Sequence, residues 1–110
     1  MNPQYYTKEQ VLDIVSEAKF AARLAAENYF QVELGGRDQW PCGFSWVEIY
    51  GVKGSTKLGK IFKAIDLDSL MWNPANIPVQ NMDVLYAGAR AAAEVLKAYG
   101  FNAQVRSRMD

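Results

Sequence analysis

From residue 7 onward apolar side chains return every three or four positions. Val11, Ile14, Val15, Ala18, Ala21, Ala22, Ala25, Tyr29 and Val32 form one stripe, and Asp13, Glu17, Arg23 and Glu27 fall largely off it. That period predicts an amphipathic helix. It should run from about residue 7 to 31, since no Gly or Pro interrupts before Gly35. Thr7 and Gln10 stand where a capping box needs them. At 1.5 Å per residue such a helix is ~37 Å long, and its alanines suit close packing on one partner. "GGRDQWP", residues 35–41, follows as a turn cluster, and its Trp40-Pro41 bond is of the type that tolerates the cis form.

The period then changes to two. "GFSWVEIYG", residues 43–51, is dense in aromatic and β-branched residues and reads as a strand. Alternation puts Phe44, Trp46, Glu48 and Tyr50 on one face and Ser45, Val47 and Ile49 on the other. A short helix over about 55–65 should bury Leu58, Ile61, Phe62 and Ile65. "LDSLMW" (67–72) reads as a weaker strand, and "NPANIPVQN" (73–81) as an irregular loop broken by Pro74 and Pro78.

A last helix over 82–99 carries Leu85, Gly88, Ala89, Ala92, Val95, Leu96 and Tyr99 on one stripe. Asn81 or Gln80 caps it and Gly100 ends it. Gly88 sits among alanines, where a glycine weakens a helix, so another element should approach closely there. "FNAQVRSRMD" closes the chain as a strand, with Phe101, Ala103 and Val105 opposite Asn102, Gln104, Arg106 and Arg108. Helices and strands in this order predict a single domain, 1–110, of the α+β class. Its small three- or four-stranded sheet is covered by two long helices and one short helix, and so few elements leave room for one open sheet face. The length of the first helix predicts self-association through its alanines, because a domain of this size has a radius of gyration near ~13 Å.

Composition narrows the function. Formal net charge is zero over 110 residues, so no global field draws the chain to nucleic acid or an acidic membrane. One cysteine, Cys42, forms no intrachain disulfide. It reads as an inert thiol in a reducing compartment. There is no histidine, which removes Ser-His-Asp and Cys-His catalysis and histidine-ligated zinc. A non-enzymatic protein with no cofactor and no metal is therefore expected. It should be soluble and cytoplasmic, since no apolar run reaches the length of a membrane helix.

Three stretches carry candidate chemistry. "GSTKLGKI", 54–61, supplies Gly54, Gly59 and Lys60 of a P-loop but places Ile61 where the magnesium-binding hydroxyl belongs. Gly59-Lys60 should fall inside the helix, not in a phosphate cradle. A simpler anion site at Gly54, Ser55 and Thr56 stays open. Lys53, Lys57, Lys60 and Lys63, spaced four, three and three, share one helix face. That face is either merely solvated or a phosphate-contacting surface. "CGFSWVEI", 42–49, resembles the RNP1 strand of RNA-recognition domains. Gly43, Phe44, Trp46 and Val47 match in type; Cys42, Ser45 and Ile49 do not, and no RNP2 strand precedes the first helix. Aromatics on an open sheet would stack unpaired bases. The ordinary outcome is that Phe44, Trp46 and Tyr50 pack beneath a helix. The amides of "WNPANIPVQNMD" (Asn73, Asn76, Gln80, Asn81) with Asp83 ordinarily satisfy their own loop and cap the next helix.

Taken together, "PCGFSWVEIYG", "GSTKLGK", "WNP", "QNMDVLYAGARAAAEVLKAYGF" and "SRMD" resemble small accessory proteins of tailed bacteriophages, over residues 40–110. The resemblance implies synthesis in the bacterial cytoplasm and action by binding, and it passes on no catalytic residues. The leading expectation is a non-catalytic module that contacts a bacterial host protein. The alternative is a single-stranded nucleic-acid or nucleotide binder. It would use Phe44, Trp46 and Tyr50 with Lys53, Lys57, Lys60, Lys63, Arg106 and Arg108.

Overall fold

Thr7 opens the first long element. In the computed structural model, which describes residues 2–110, its hydroxyl accepts from the Gln10 backbone N–H and the Gln10 side chain accepts from the Thr7 N–H. This capping box starts helix α1, Lys8–Val32. A short 3-10 turn, Pro3–Tyr5, precedes it. The remaining elements are β1 (Gly43–Tyr50), α2 (Lys57–Ala64), β2 (Leu70–Trp72), α3 (Met82–Ala98) and β3 (Asn102–Met109). The fold is α+β: three helices and a three-stranded antiparallel sheet in the order β2-β1-β3. The Trp40–Pro41 peptide is cis. Among the described residues no helix is long and apolar enough to cross a membrane.

β1 lies in the middle, and its alternation decides the layers. Ser45, Val47 and Ile49 are buried, and α3 packs on that side, over β1 and β3. The Ser45 hydroxyl is satisfied there by donating to the Arg106 carbonyl at 3.0 Å. Ala103, opposite Ile49, joins the same core. α1 packs on α3, not on the sheet. Val11, Ile14, Val15, Ala18, Ala22 and Ala26 are its buried positions. Gly88 makes that contact close. A Cβ there would sit 3.0 Å from Ala75 Cβ and 3.3 Å from both the Ala22 carbonyl oxygen and Ala26 Cβ.

Two expectations about α1 change. Val32 is exposed, because α3 has 17 residues against the 25 of α1 and, about 12 Å shorter, cannot cover its end. Ala18, Ala22 and Ala26 are buried and α3 of the same chain packs on α1, while Ala21 and Ala25 stay half-buried. That narrows the alanine surface on which the expected self-association through α1 would rest. The length of α1 goes into the shape of the molecule, 43 × 23 × 20 Å.

α2 closes the end of the core near Tyr50. Leu58 and Phe62 are buried, and the Phe62 ring lies 6.4 Å from Phe101, which stacks in turn on Tyr6 at 5.9 Å. The 3-10 turn fastens α2 in place. Gln4 donates from its side chain to the Gly51 carbonyl and accepts from the Leu58 N–H.

A candidate binding face on the open sheet

The face of β1 that α3 does not cover carries Phe44, Trp46, Glu48 and Tyr50. No helix lies over them. Phe44 is 44% and Tyr50 42% exposed, and Trp46 is half-buried by its sheet neighbours. The expectation that these rings pack beneath a helix is therefore overturned. The physical reason is in β3. Its alternate residues Asn102, Gln104, Arg106 and Arg108 pair with Tyr50, Glu48, Trp46 and Phe44, so aromatic and polar sets share one face. Amides and arginines hold that face in water.

The register brings specific groups together. Trp46 faces Arg106 on one side and Trp72 on the other. The two indoles lie 4.6 Å apart, tilted by 35°, and Trp72 is 54% exposed. The Arg108 guanidinium sits over the Phe44 ring, 5.9 Å from its centroid. Phe44, Trp46, Trp72 and Arg108 line a cleft of about 300 Å³. At 3.4 Å per residue Phe44 and Trp46 are ~6.8 Å apart along β1.

Glu48 organises the centre. Its carboxylate accepts from the Tyr50 hydroxyl, from the Trp46 indole N–H at 3.3 Å and from Arg106 Nε at 3.4 Å. The Tyr50 and Trp46 hydrogen bonds, helped by Arg106, hold its carboxyl below the ordinary value of 4.5. Tyr50 and Glu48 in turn push the Arg106 guanidinium up. The acid is thus fully engaged in fixing rings and a cation, and Arg108 is the guanidinium left beside the cleft.

The basic helix is a separate feature. Lys53, Lys57, Lys60 and Lys63 are exposed, and among the described residues none forms an ion pair. Among the described residues no ring or hydrogen-bond contact joins them to the aromatic face.

"GSTKLGKI" takes a definite form. Thr56, not Ser55, caps α2; its hydroxyl accepts from the Gly59 N–H at 2.9 Å. The Leu58 N–H is taken by Gln4 Oε1 at 2.9 Å. Gly59-Lys60 lie within the helix as the spacing predicted. Gly59 is required by the backbone of Val52–Lys53, which occupies the space of a Cβ. A phosphate cradle needs free, converging N–H groups; here two of them hold the fold together.

The amide loop behaves in the ordinary way. Asn73 exchanges hydrogen bonds with the Ile77 backbone. Asn81, 1% exposed, accepts from the Asp83 and Val84 N–H groups and donates to the Gln39 carbonyl. Cys42 is half-buried.

Of the sequence candidates, the structure gathers Phe44, Trp46, Tyr50, Arg106 and Arg108 on one face and sets the four lysines apart. Trp72 and Glu48 belong to that face and were not singled out as site residues. For Trp72 the signal was the alternation Leu70, Trp72 against buried Met71, which names a face only once the β1–β2 register is known. No family model, curated protein or solved structure matches the chain.

Proposed function

We propose that the chain is a non-catalytic binding module whose working surface is the open face of the sheet, and that it seats the unpaired bases of a single nucleic-acid strand there. One observation carries the reading: Arg108 stands over Phe44 beside the Trp46–Trp72 pair. Aromatic clefts take cations or flat rings. A guanidinium in the cleft disfavours a cation and suits a base with its phosphate. This moves the phosphate role from the lysines of α2 to Arg108. The resemblance to tailed-phage accessory proteins suggests a setting in a bacterial host.

A protein partner is the second reading, and the side chains on the face favour it: Trp, Tyr and Arg are the residues that dominate interface energetics. Fluorescence anisotropy with a labelled single-stranded oligonucleotide at several salt concentrations separates the two. On the first reading Trp72→Ala loses about 1–3 kcal/mol of binding and leaves the salt slope alone. Arg108→Gln flattens the log–log slope by about 0.7, the share of one phosphate. Lys57→Gln with Lys60→Gln leaves it unchanged. If no oligonucleotide binds tighter than about 100 μM at low salt, weaker than ordinary non-specific binding, the face belongs to a protein.

A further inference from the structure

The sheet has two edges, and they differ. β2 is three residues long, and short edge strands are one of the ways proteins avoid unwanted pairing. β3 is eight residues long, contains no proline, and keeps an unbroken register with β1 from Asn102 to Met109. Its two charged side chains are drawn onto the open face, Arg106 to Glu48 and Arg108 to Phe44.

The hydrogen bonds fix which β3 groups point outward. The Ile49 N–H donates to the Ser69 carbonyl, and the Asn73 N–H to the Ser45 carbonyl. Odd residues of β1 therefore turn toward β2, and even residues toward β3. The even residues of β3 answer them, and the Asp110 N–H continues the series by donating to the Cys42 carbonyl. Ala103, Val105, Ser107 and Met109 are left with N–H and C=O directed away from the sheet.

We propose that this edge pairs antiparallel with β3 of a second copy, joining two sheets into one of six strands. Outward-pointing odd residues must meet odd residues, so the two-fold axis passes through a residue of β3. An axis at Arg106 sets that arginine against itself. An axis at Ser107 sets Arg106 against Arg108, and like charges directly opposite destabilise a sheet. An axis at Val105 gives the longest overlap free of such pairs. Gln104 of one copy then faces Arg106 of the other, Asn102 faces Arg108, and Ala103 faces Ser107. Every arginine meets an amide, and about six backbone hydrogen bonds form. The two aromatic faces then lie on the same side as one continuous surface. The contact falls in the small, reversible class of interfaces, with a dissociation constant on the order of 10–100 μM. The inference is independent of what the open face binds.

Sedimentation equilibrium of the full chain should show a monomer–dimer equilibrium in this range. Ser107→Pro removes an outward N–H and no β1–β3 hydrogen bond, as a proline on an edge strand can. It should leave a folded monomer. The double variant Gln104→Cys, Arg106→Cys reads the register directly. Opposite residues of a non-hydrogen-bonded pair have Cα atoms ~4.5 Å apart, within disulfide reach. Mild oxidation should therefore give a covalent dimer that Gln104→Cys alone does not give. A monomer at the top of the range overturns the proposal. So does a dimer that persists in a folded Ser107→Pro variant, and so does failure of the double variant to crosslink, which is informative even if the proline variant does not fold.

Discussion

Gly59 separates a packing glycine from a phosphate-loop glycine. A Cβ added there would lie 1.8 Å from the Lys53 carbonyl oxygen, 2.5 Å from the Lys53 carbonyl carbon and 2.6 Å from the Val52 carbonyl oxygen. All three are backbone atoms, so no side chain can rotate away. Restoring an ordinary contact moves strand end and helix apart by about 1.6 Å (3.4 minus 1.8). The Lys53 carbonyl accepts from the Thr56 N–H at 2.9 Å and from the Thr56 hydroxyl at 2.7 Å, and a shift of that size breaks both. Two net hydrogen bonds are worth ~2 kcal/mol, and overpacking adds ~1–3 kcal/mol. Against this stands a helix-propensity gain of ~1 kcal/mol for replacing a glycine. Gly59→Ala should therefore lower stability by about 2–4 kcal/mol, a large share of the 5–15 kcal/mol typical of a domain. Near 4 °C per kcal/mol, the melting temperature should fall by roughly 8–16 °C. Urea denaturation followed by circular dichroism measures the loss. Gly54→Ala is the control, since a Cβ there meets nothing within 4 Å, and it should stay within about 0.5 kcal/mol of the parent. A Gly59→Ala protein as stable as the parent, with native circular dichroism, would refute the close approach and reopen the loop reading.

Three other changes test separate contacts. Gly88→Ala meets Ala75, Ala22 and Ala26 at 3.0–3.3 Å; overpacking should outweigh the helix gain and cost a net ~1 kcal/mol, and a rise in melting temperature would contradict this. Asn81→Ala removes the α3 cap and the bond to the Gln39 carbonyl, so thermal unfolding should show a loss of about 2 kcal/mol; a change below 0.5 kcal/mol would sink the assignment. Glu48 is held more acidic in the fold than its ordinary 4.5, so its contribution is present above that value and is lost as pH falls through the lower folded value. Stability should drop on acidification below about pH 4.5, and Glu48→Gln should flatten that dependence in denaturation curves taken at several pH values.

The elements were legible because their causes are local. Thr7 and Gln10 lie three residues apart, and the strand alternation of 43–50 needs no distant partner. α2 was expected from about residue 55 and begins at Lys57, because Ser55 and Thr56 are both good caps and Thr56 is the one whose hydroxyl reaches the Gly59 N–H. The turn at Pro3–Tyr5 was missed. Its cap is local, the Asn2 side chain accepting from the Gln4 N–H, but what fastens it to the fold lies 47 and 54 positions away, at the Gly51 carbonyl and the Leu58 N–H.

The open face is the instructive case. Both faces of β1 are apolar enough to take a helix, Val47 and Ile49 on one and Phe44, Trp46 and Tyr50 on the other, so β1 alone does not choose. β3 does. Asn102, Gln104, Arg106 and Arg108 can be buried only at a high desolvation cost, whereas Ala103 and Val105 can be buried freely. Once β1 and β3 pair in the observed register, the helices must take the Val47 side, and the aromatic rings go with the arginines into water. The alternation in β3 was visible in the sequence; what was not visible was that β3 is the neighbour of β1. The same ignorance of register hid Trp72, which becomes part of the face by standing opposite Trp46. The aromatics are exposed, then, because their strand is paired with one that cannot be buried on that side.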